Sequence, residues 1–301
     1  MIAQRDVMIS EIYARAKIDK NIFFLSADFG APALDEFREN LPEQFFHLGI
    51  SEQNMIDVAI GMALKGKKVF TYAMAPFISM RCAEQHKLAA MMGLPIVNIV
   101  AGVGLGYANA GPTHYATEDY SLALNIIGSS VFTMSDAPLV KSLTNHLLDN
   151  PTFCFVRLDR SPSRELSTDY EFIDGFRRVR AGKSTCLVSH GYLVHKIDDL
   201  IESSSNIGEP SIYDLFWSKP IPDNFINVIS KYDKVVFVDE QIESSSIGSF
   251  ILPRLLKATG RIEFEMICLA EEYMFENSGR DGLIKEAGIT DEAIKKSIIQ
   301  K

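Results

Sequence analysis

What this 301-residue chain lacks narrows its nature first. No apolar run approaches the ~20 residues needed to cross a bilayer, so no membrane span is expected. The opening stretch, MIAQRDVMISEIYARAKIDKN, is charged and helical in pattern, unlike a secretory signal. Cysteine is scarce: Cys82, Cys154, Cys186 and Cys268 lie far apart, with no C-x-x-C pair. This excludes a disulfide framework and a cysteine zinc site, and fits buried thiols in a reducing compartment. Positive charge is short too, with 30 Lys and Arg against 39 Asp and Glu, a net charge of -9. A nucleic-acid surface needs clustered basic residues, so none is expected. Internal repeats and low-complexity tracts are missing. What remains is the expectation of a soluble, cytoplasmic protein. Its balance is globular, 47% hydrophobic and 23% charged, and its length suits roughly two domains.

Short apolar runs alternate with longer helical patterns. Strands are expected at 22–26, 45–48, 68–72, 95–100, 131–134 and 153–158, and helices from near Ser51, Pro76, Thr117 and Asp136. Near-continuous apolar strands joined by helices indicate a mainly parallel sheet covered on both faces. Residues 160–183 interrupt the rhythm with Ser, Pro and charge, which marks a domain boundary. A second alternation follows, with strands expected at 185–189, 210–216, 234–240 and 264–269. The fold class expected is therefore α/β, with two doubly wound domains. These are a mainly parallel-sheet domain at 1–165 and a smaller α/β domain at 183–301, joined by a linker at 166–182.

Open α/β sheets bind ligands beyond the carboxyl ends of their strands. In the first domain those positions are occupied by Ala27-Asp28-Phe29-Gly30, Gly49-Ile50-Ser51-Glu52, Ala73 to Phe77, Gly102 to His114, and Arg157 with Arg160. Five consecutive strand ends thus turn polar, small or aromatic groups toward one rim.

Each of these residues also has an ordinary structural explanation. In GISEQNMIDVAIGMALKG (49–66), Ser51 suits a helix N-cap and Glu52 suits the positive end of the helix dipole. In AGVGLGYANAGPTH (101–114) the glycines are spaced G-x-G-x-G, and Tyr107 stands where a dinucleotide fingerprint needs its third glycine. That motif fails, and what the glycines supply is a loop whose backbone can approach a ligand closely. His114 alone fits a surface or core histidine. After a Gly-Pro turn on the rim, however, it is placed to donate to a substrate oxygen or phosphate and to move a proton near neutral pH. The other five histidines show no metal-ligand spacing, and no metal site is expected in this chain. Phe77 suits core packing or, at the sheet edge, stacking on a flat ring. Arg157 and Arg160 suit solvent or a pairing with Asp159, or else an anion clamp.

Taken in order, these pieces resemble the thiamine-diphosphate enzymes of the transketolase family. The matching run is Ser26-Ala27-Asp28, then Gly49 to Met55, the small-residue helix to Gly66, the Phe77 segment, Gly111-Pro112-Thr113-His114, and Arg160. It covers about 160 residues in register, and the tail resembles the family's C-terminal domain. The resemblance implies that Glu52 accepts a hydrogen bond from a ring nitrogen of the cofactor's aminopyrimidine. That contact favours the tautomer which removes the thiazolium C2 proton, and the resulting ylid attacks a carbonyl. It further implies that Phe77 stacks on the pyrimidine, and that Asp28, Met74 and Met80 border the cofactor. His114 becomes the substrate-channel histidine, and Arg160 binds a substrate phosphate.

The departures bear on specificity. Ala110 replaces the aspartate that usually precedes G-P-T-H and reads an acceptor hydroxyl, and Gly102 replaces a second channel histidine. Losing a buried group that reads a hydroxyl relaxes or redirects selection, so an acceptor or donor outside the standard pentose-phosphate pair is expected. The chain also has no G-D-G segment, with which the family binds the diphosphate and Mg²⁺. The resemblance therefore implies a split enzyme. An N-terminal transketolase subunit would hold diphosphate and metal, sites would form between chains in an α2β2 assembly, and the isolated chain would be inactive with apolar surface exposed. Two alternatives stay open: a deoxyxylulose-phosphate-synthase-like or 2-oxo-acid dehydrogenase β-type subunit, and a non-catalytic subunit that kept the fold.

Overall fold

The computed structural model describes residues 2–27, 31–166, 170–205 and 207–299. Strands follow the apolar runs: β1 (Ile22–Ser26), β2 (Phe45–His47), β3 (Lys68–Met74), β4 (Ile96–Ala101), β5 (Ser130–Thr133), β6 (Cys154–Leu158), β7 (Arg177–Arg180), β8 (Thr185–Ser189), β9 (Ser211–Asp214), β10 (Trp217–Lys219), β11 (Lys234–Ile242) and β12 (Glu263–Leu269). The helices of the first half are α1 (Gln4–Ala16), α2 (Asp35–Asn40), α3 (Glu52–Leu64), α4 (Ala75–Met80), α5 (Ala83–Met91), α6 (Asp119–Asn125) and α7 (Ala137–Asp149). The second half adds α8 (Tyr192–Ser203), α9 (Asp223–Ile229), α10 (Ile247–Thr259), α11 (Gly279–Glu286) and α12 (Asp291–Ile298).

Two sheets result. The first runs β10-β5-β6-β4-β3-β1-β2 and is parallel except at β10. The second runs β12-β11-β8-β9-β7 and is parallel except at β7. This is the expected α/β class. Parallel strands must be covered on both faces, and the first sheet is. Ile12 of α1 and Leu139 and Leu143 of α7 pack with Phe24, Phe70 and Val156 on one side. Met55, Ile56 and Ala59 of α3 and Ala89 of α5 pack with Val69, Ile96 and Phe155 on the other. Among the described residues no helix is long and apolar enough to cross a membrane.

Three elements differ from the expectation. Residues 177–180, in the expected linker, form β7, because the inward residue of this strand is Arg177. Its guanidinium, buried, pairs with Asp136 and Asp214 at 2.9 Å each. Strand β10 leaves the second half of the chain and pairs antiparallel with β5, completing the first sheet. The helical stretch expected from near Pro76 is broken in two, and α5 is its second part. Its pattern is inverted, with His86 buried and Leu88 and Met91 exposed.

Candidate active site

Strand register assembles the rim. Ser26 stands beside His47 and Tyr72, Met74 beside Ala101, and Ala101 beside Leu158. The carboxyl ends of five strands therefore lie in one row, and the segments after them share one edge of the sheet. Asp28 falls outside the described residues.

Glu52 is the first residue of α3 and is only 2% exposed. Ser51 occupies the N-cap position, but its hydroxyl donates to the Leu48 carbonyl at 2.6 Å and makes no cap. The capping expectation for Ser51 is thus corrected: the preceding turn has taken the side chain. The Glu52 carboxylate instead accepts from Arg81 Nη1 at 2.6 Å. Cys82, next in the chain, has its thiol pushed up to about 12, first by burial and then by the charge of Glu52. It remains a protonated thiol beside the carboxylate.

Pro76 near the start of α4 sits where a helix needs no N–H donor, so the ring costs no hydrogen bond. This short helix carries Phe77 half-buried. The Phe77 ring meets the His114 imidazole edge-on, centroids 5.2 Å apart, and the Arg81 guanidinium lies 4.8 Å from its centroid. Glu52, Arg81, Phe77 and His114 therefore form one contiguous group from three separate segments. His114 is set by the turn before it: its N–H donates to the Gly111 carbonyl at 2.9 Å, and Gly111 has φ +83°, which favours glycine. Its Nδ1 lies 3.0 Å from the Thr113 hydroxyl. Met74 is half-buried at the end of β3, and Met80 is exposed at the end of α4.

The two arginines part company. Arg160 is exposed, with its guanidinium 5.0 Å from the Tyr107 ring centroid. Arg157 is 2% exposed. It pairs with Asp119 through Nε and Nη2, both at 2.9 Å, donates to Thr133, and lies over Tyr120. The expectation of Arg157 as an anion clamp is corrected accordingly: its donors are spent inside the protein. Burial would lower its affinity for the proton, but Asp119 more than reverses this, and the guanidinium stays charged.

Two residues of this neighbourhood were missed in the sequence. Arg81 lies four residues after Phe77, a spacing that brings two helical side chains together. Tyr107, which in the sequence only spoils a glycine motif, is the second. A Cβ on Gly102, which has φ +78°, would sit 1.9 Å from the Tyr107 ring. Tyr107 thus fills the space that a larger side chain at 102 would need.

A mainly parallel α/β domain followed by a second α/β domain, with a carboxylate buried at the rim of the first, defines the class. Residues 1–164 match the transketolase pyrimidine-binding domain, and residues 175–294 match the transketolase C-terminal domain. The chain belongs to the transketolase family. Over its full length it is 25% identical to one of the subunits of the apulose-4-phosphate transketolase of Phocaeicola vulgatus, covering 97% of that protein. It is 29% identical to the 6-deoxy-6-sulfo-D-fructose transketolase subunit SqwH of a Clostridium species, over 63% of this chain and 60% of that one. A 1-deoxy-D-xylulose-5-phosphate synthase of Corynebacterium diphtheriae is 22% identical over 97% of this chain, which spans about half of that relative, 48%. A solved split-gene transketolase, described as an inactive beta4 tetramer, shares the fold with a TM-score of 0.86 and 22% identity, covering 99% of this chain and 97% of that one.

Proposed function

We propose that this chain is the pyrimidine-binding subunit of a split transketolase. It would transfer a two-carbon ketol unit from a ketose, as its phosphate, to an aldehyde acceptor other than that of the standard enzyme. The observation that carries this is Glu52: a carboxylate almost wholly removed from water, at a helix start on the ligand rim, linked through Arg81 to an aromatic ring that meets a histidine. Its arginine partner is 43% exposed and so can be exchanged for a ligand. These residues fit an aminopyrimidine. Glu52 would hold a proton at its ring nitrogen, Phe77 would stack on its face, and Met74, Met80 and Asp28 would border it. His114 would donate to a substrate oxygen, and Arg160 would bind the substrate phosphate. Thiamine diphosphate supplies, when bound, the nucleophilic carbon of the reaction.

A second chain would hold diphosphate and Mg²⁺, giving an α2β2 complex in the cytoplasm. Three features support a partner: the missing G-D-G, the near end-to-end match with a relative named as a subunit, and an uncovered apolar face. Leu64 of α3, Leu88 and Met91 of α5, Met92 and Ile127 are all exposed, Ile127 by 90%. Apolar clusters left in water mark surfaces that another protein covers. That a related split-gene chain is described as inactive in its beta4 form agrees with inactivity of this chain alone.

The test is Glu52→Gln in the complex reconstituted with its partner. Misplacing a proton-handling group costs 10²–10⁴-fold, so ketol transfer should fall by at least about 100-fold. Activity retained within a few fold would remove Glu52 from the chemistry and favour a non-catalytic subunit. The likeness to deoxyxylulose-phosphate synthases supports a second reading, decarboxylation of a 2-oxo acid, and strict dependence on pyruvate would establish it in place of ketol transfer.

A further inference from the structure

The loop after β4 is built into the second domain more than into its own. Leu105, Ala108 and Tyr115 are buried in an apolar cluster with Leu187 of β8, Val236 of β11, Leu283 of α11, and Met274 in the loop before α11. The Leu105 N–H donates to Glu240 Oε1 at 3.1 Å, and Gln241 donates to the Ala116 carbonyl at 2.7 Å. Gly104, with φ +57°, lets the Glu240 side chain approach so closely that a Cβ there would stand 2.5 Å from its carboxylate. This loop ends in His114 and carries Tyr107, on which Arg160 lies.

Arg280, in the first turn of α11, ties these parts together. Its Nε and Nη2 donate to the two carboxylate oxygens of Glu240 at 2.9 and 2.6 Å, and its Nη1 donates to Asp159 at 2.6 Å. The guanidinium also lies 4.0 Å from the centroid of the Tyr192 ring. Bidentate charged hydrogen bonds fix orientation as well as distance. Arg280 thus holds the residue directly before Arg160 and, through Glu240, the loop beneath the Arg160 side chain.

We propose that Arg280 is a positioning residue: from the second domain it sets the place of Arg160 and the 102–114 loop at the substrate end of the site. It touches no substrate itself. The consequence for catalysis rests on the assignment of Arg160 to the substrate phosphate given above. The mechanical part does not.

The experiment therefore has two arms. In the full chain, hydrogen exchange is followed for Arg280→Ala and Arg280→Lys, with Glu240→Gln as a milder second variant that keeps side-chain shape. Arg280→Ala should speed exchange of the Leu105 amide and its loop neighbours at least tenfold, with β8 and β9 unchanged. Arg280→Lys, which restores charge without the fork, should fall between, and Glu240→Gln should act on the loop alone. An unchanged loop in all three variants overturns the proposal, as does uniform acceleration across the second domain.

In the reconstituted complex, KM is compared for an aldose phosphate and for the same aldose without phosphate. Arg280→Ala should raise the first about tenfold and leave the second, and half-saturation by thiamine diphosphate, within twofold. Equal rises in all three would overturn the positioning role. Arg160→Ala separates the two premises: if it leaves the ratio of KM values unchanged, the assignment of Arg160 fails while the exchange result stands.

Discussion

The two ends of the candidate site are built differently. At the Glu52 end, helices α3 and α4 of one domain bring Glu52, Phe77 and Arg81 together, with His114 against Phe77. At the Arg160 end, the loop and the strand terminus are fastened from the other domain by Glu240, Gln241 and Arg280. The contacts among Glu52, Arg81 and Phe77 lie within the first domain, whereas the second arrangement, and His114 with the loop that carries it, depend on how the domains dock. The two ends of the rim thus rest on different structural supports, and a change in domain docking would reach the Arg160 end while leaving the Glu52–Arg81 pair in place.

The sharpest way to break this contrast is at Arg157, the neighbour of Arg160 that points inward. Arg157→Met leaves Asp119 buried without its partner, and breaking such a pair costs about 3–5 kcal/mol. Urea unfolding should show that loss, while Arg160→Ala should change stability by less than about 0.5 kcal/mol, as exposed sites do. Similar losses for both would erase the division between them.

The Glu52 end can be probed by pH. His86 of α5 is buried against Phe153 and Phe155, and its Nε2 lies 2.7 Å from the Ile78 carbonyl in α4, as a donor. Burial lowers its pKa from 6.5 to about 4. The unfolded chain therefore binds a proton between these values that the folded chain refuses. This contribution to stability is fully present above pH 6.5 and is lost as pH falls toward 4, by about 3 kcal/mol at 1.4 kcal/mol per unit. In His86→Gln, which keeps the bond to Ile78, the acid slope of stability should be shallower by up to about 1.4 kcal/mol per pH unit. An unaltered slope would show that His86 does not titrate as described.

The smallest effect is expected at Arg81. A pair with one exposed partner is worth about 0.2–1 kcal/mol. Arg81→Met should therefore tighten thiamine-diphosphate binding to the complex by up to about fivefold by freeing Glu52. Weaker binding would mean that Arg81 helps to hold the cofactor.

Much of the fold was legible in the sequence because apolar strands declare themselves. IFFLS and TCLVS became β1 and β8 with the expected limits, and the others shifted by a residue or a few at their ends. The elements that escaped notice were those stabilised by distant charges or distant strands. β7 hides its inward position behind Arg177, whose carboxylate partners lie 41 and 37 residues away. β10 is three residues long and joins the first sheet, beside β5, although the chain around it builds the second. No local period encodes either contact. The inverted burial of α5, with His86 inside and Leu88 and Met91 outside, was not legible either, since it reverses the usual pattern of a helix. In the site, Glu52, Phe77 and His114 were found through motif order, and the structure groups them. Whether an arginine faces in or out depends on a carboxylate 38 residues earlier in the chain, so Arg157 could not be told from Arg160 by position alone.

Strand β10 carries one more lesson, about where this gene could be cut. A fragment ending at residue 165 would keep six strands of the first sheet but leave β5 as a bare border, with unpaired backbone groups ready to recruit another chain. Residues 217–219 close that border from the far side of the boundary. Exchanging C-terminal domains between relatives therefore means exchanging an edge of the first domain as well, and chimaeras that ignore this should aggregate even when both halves are sound.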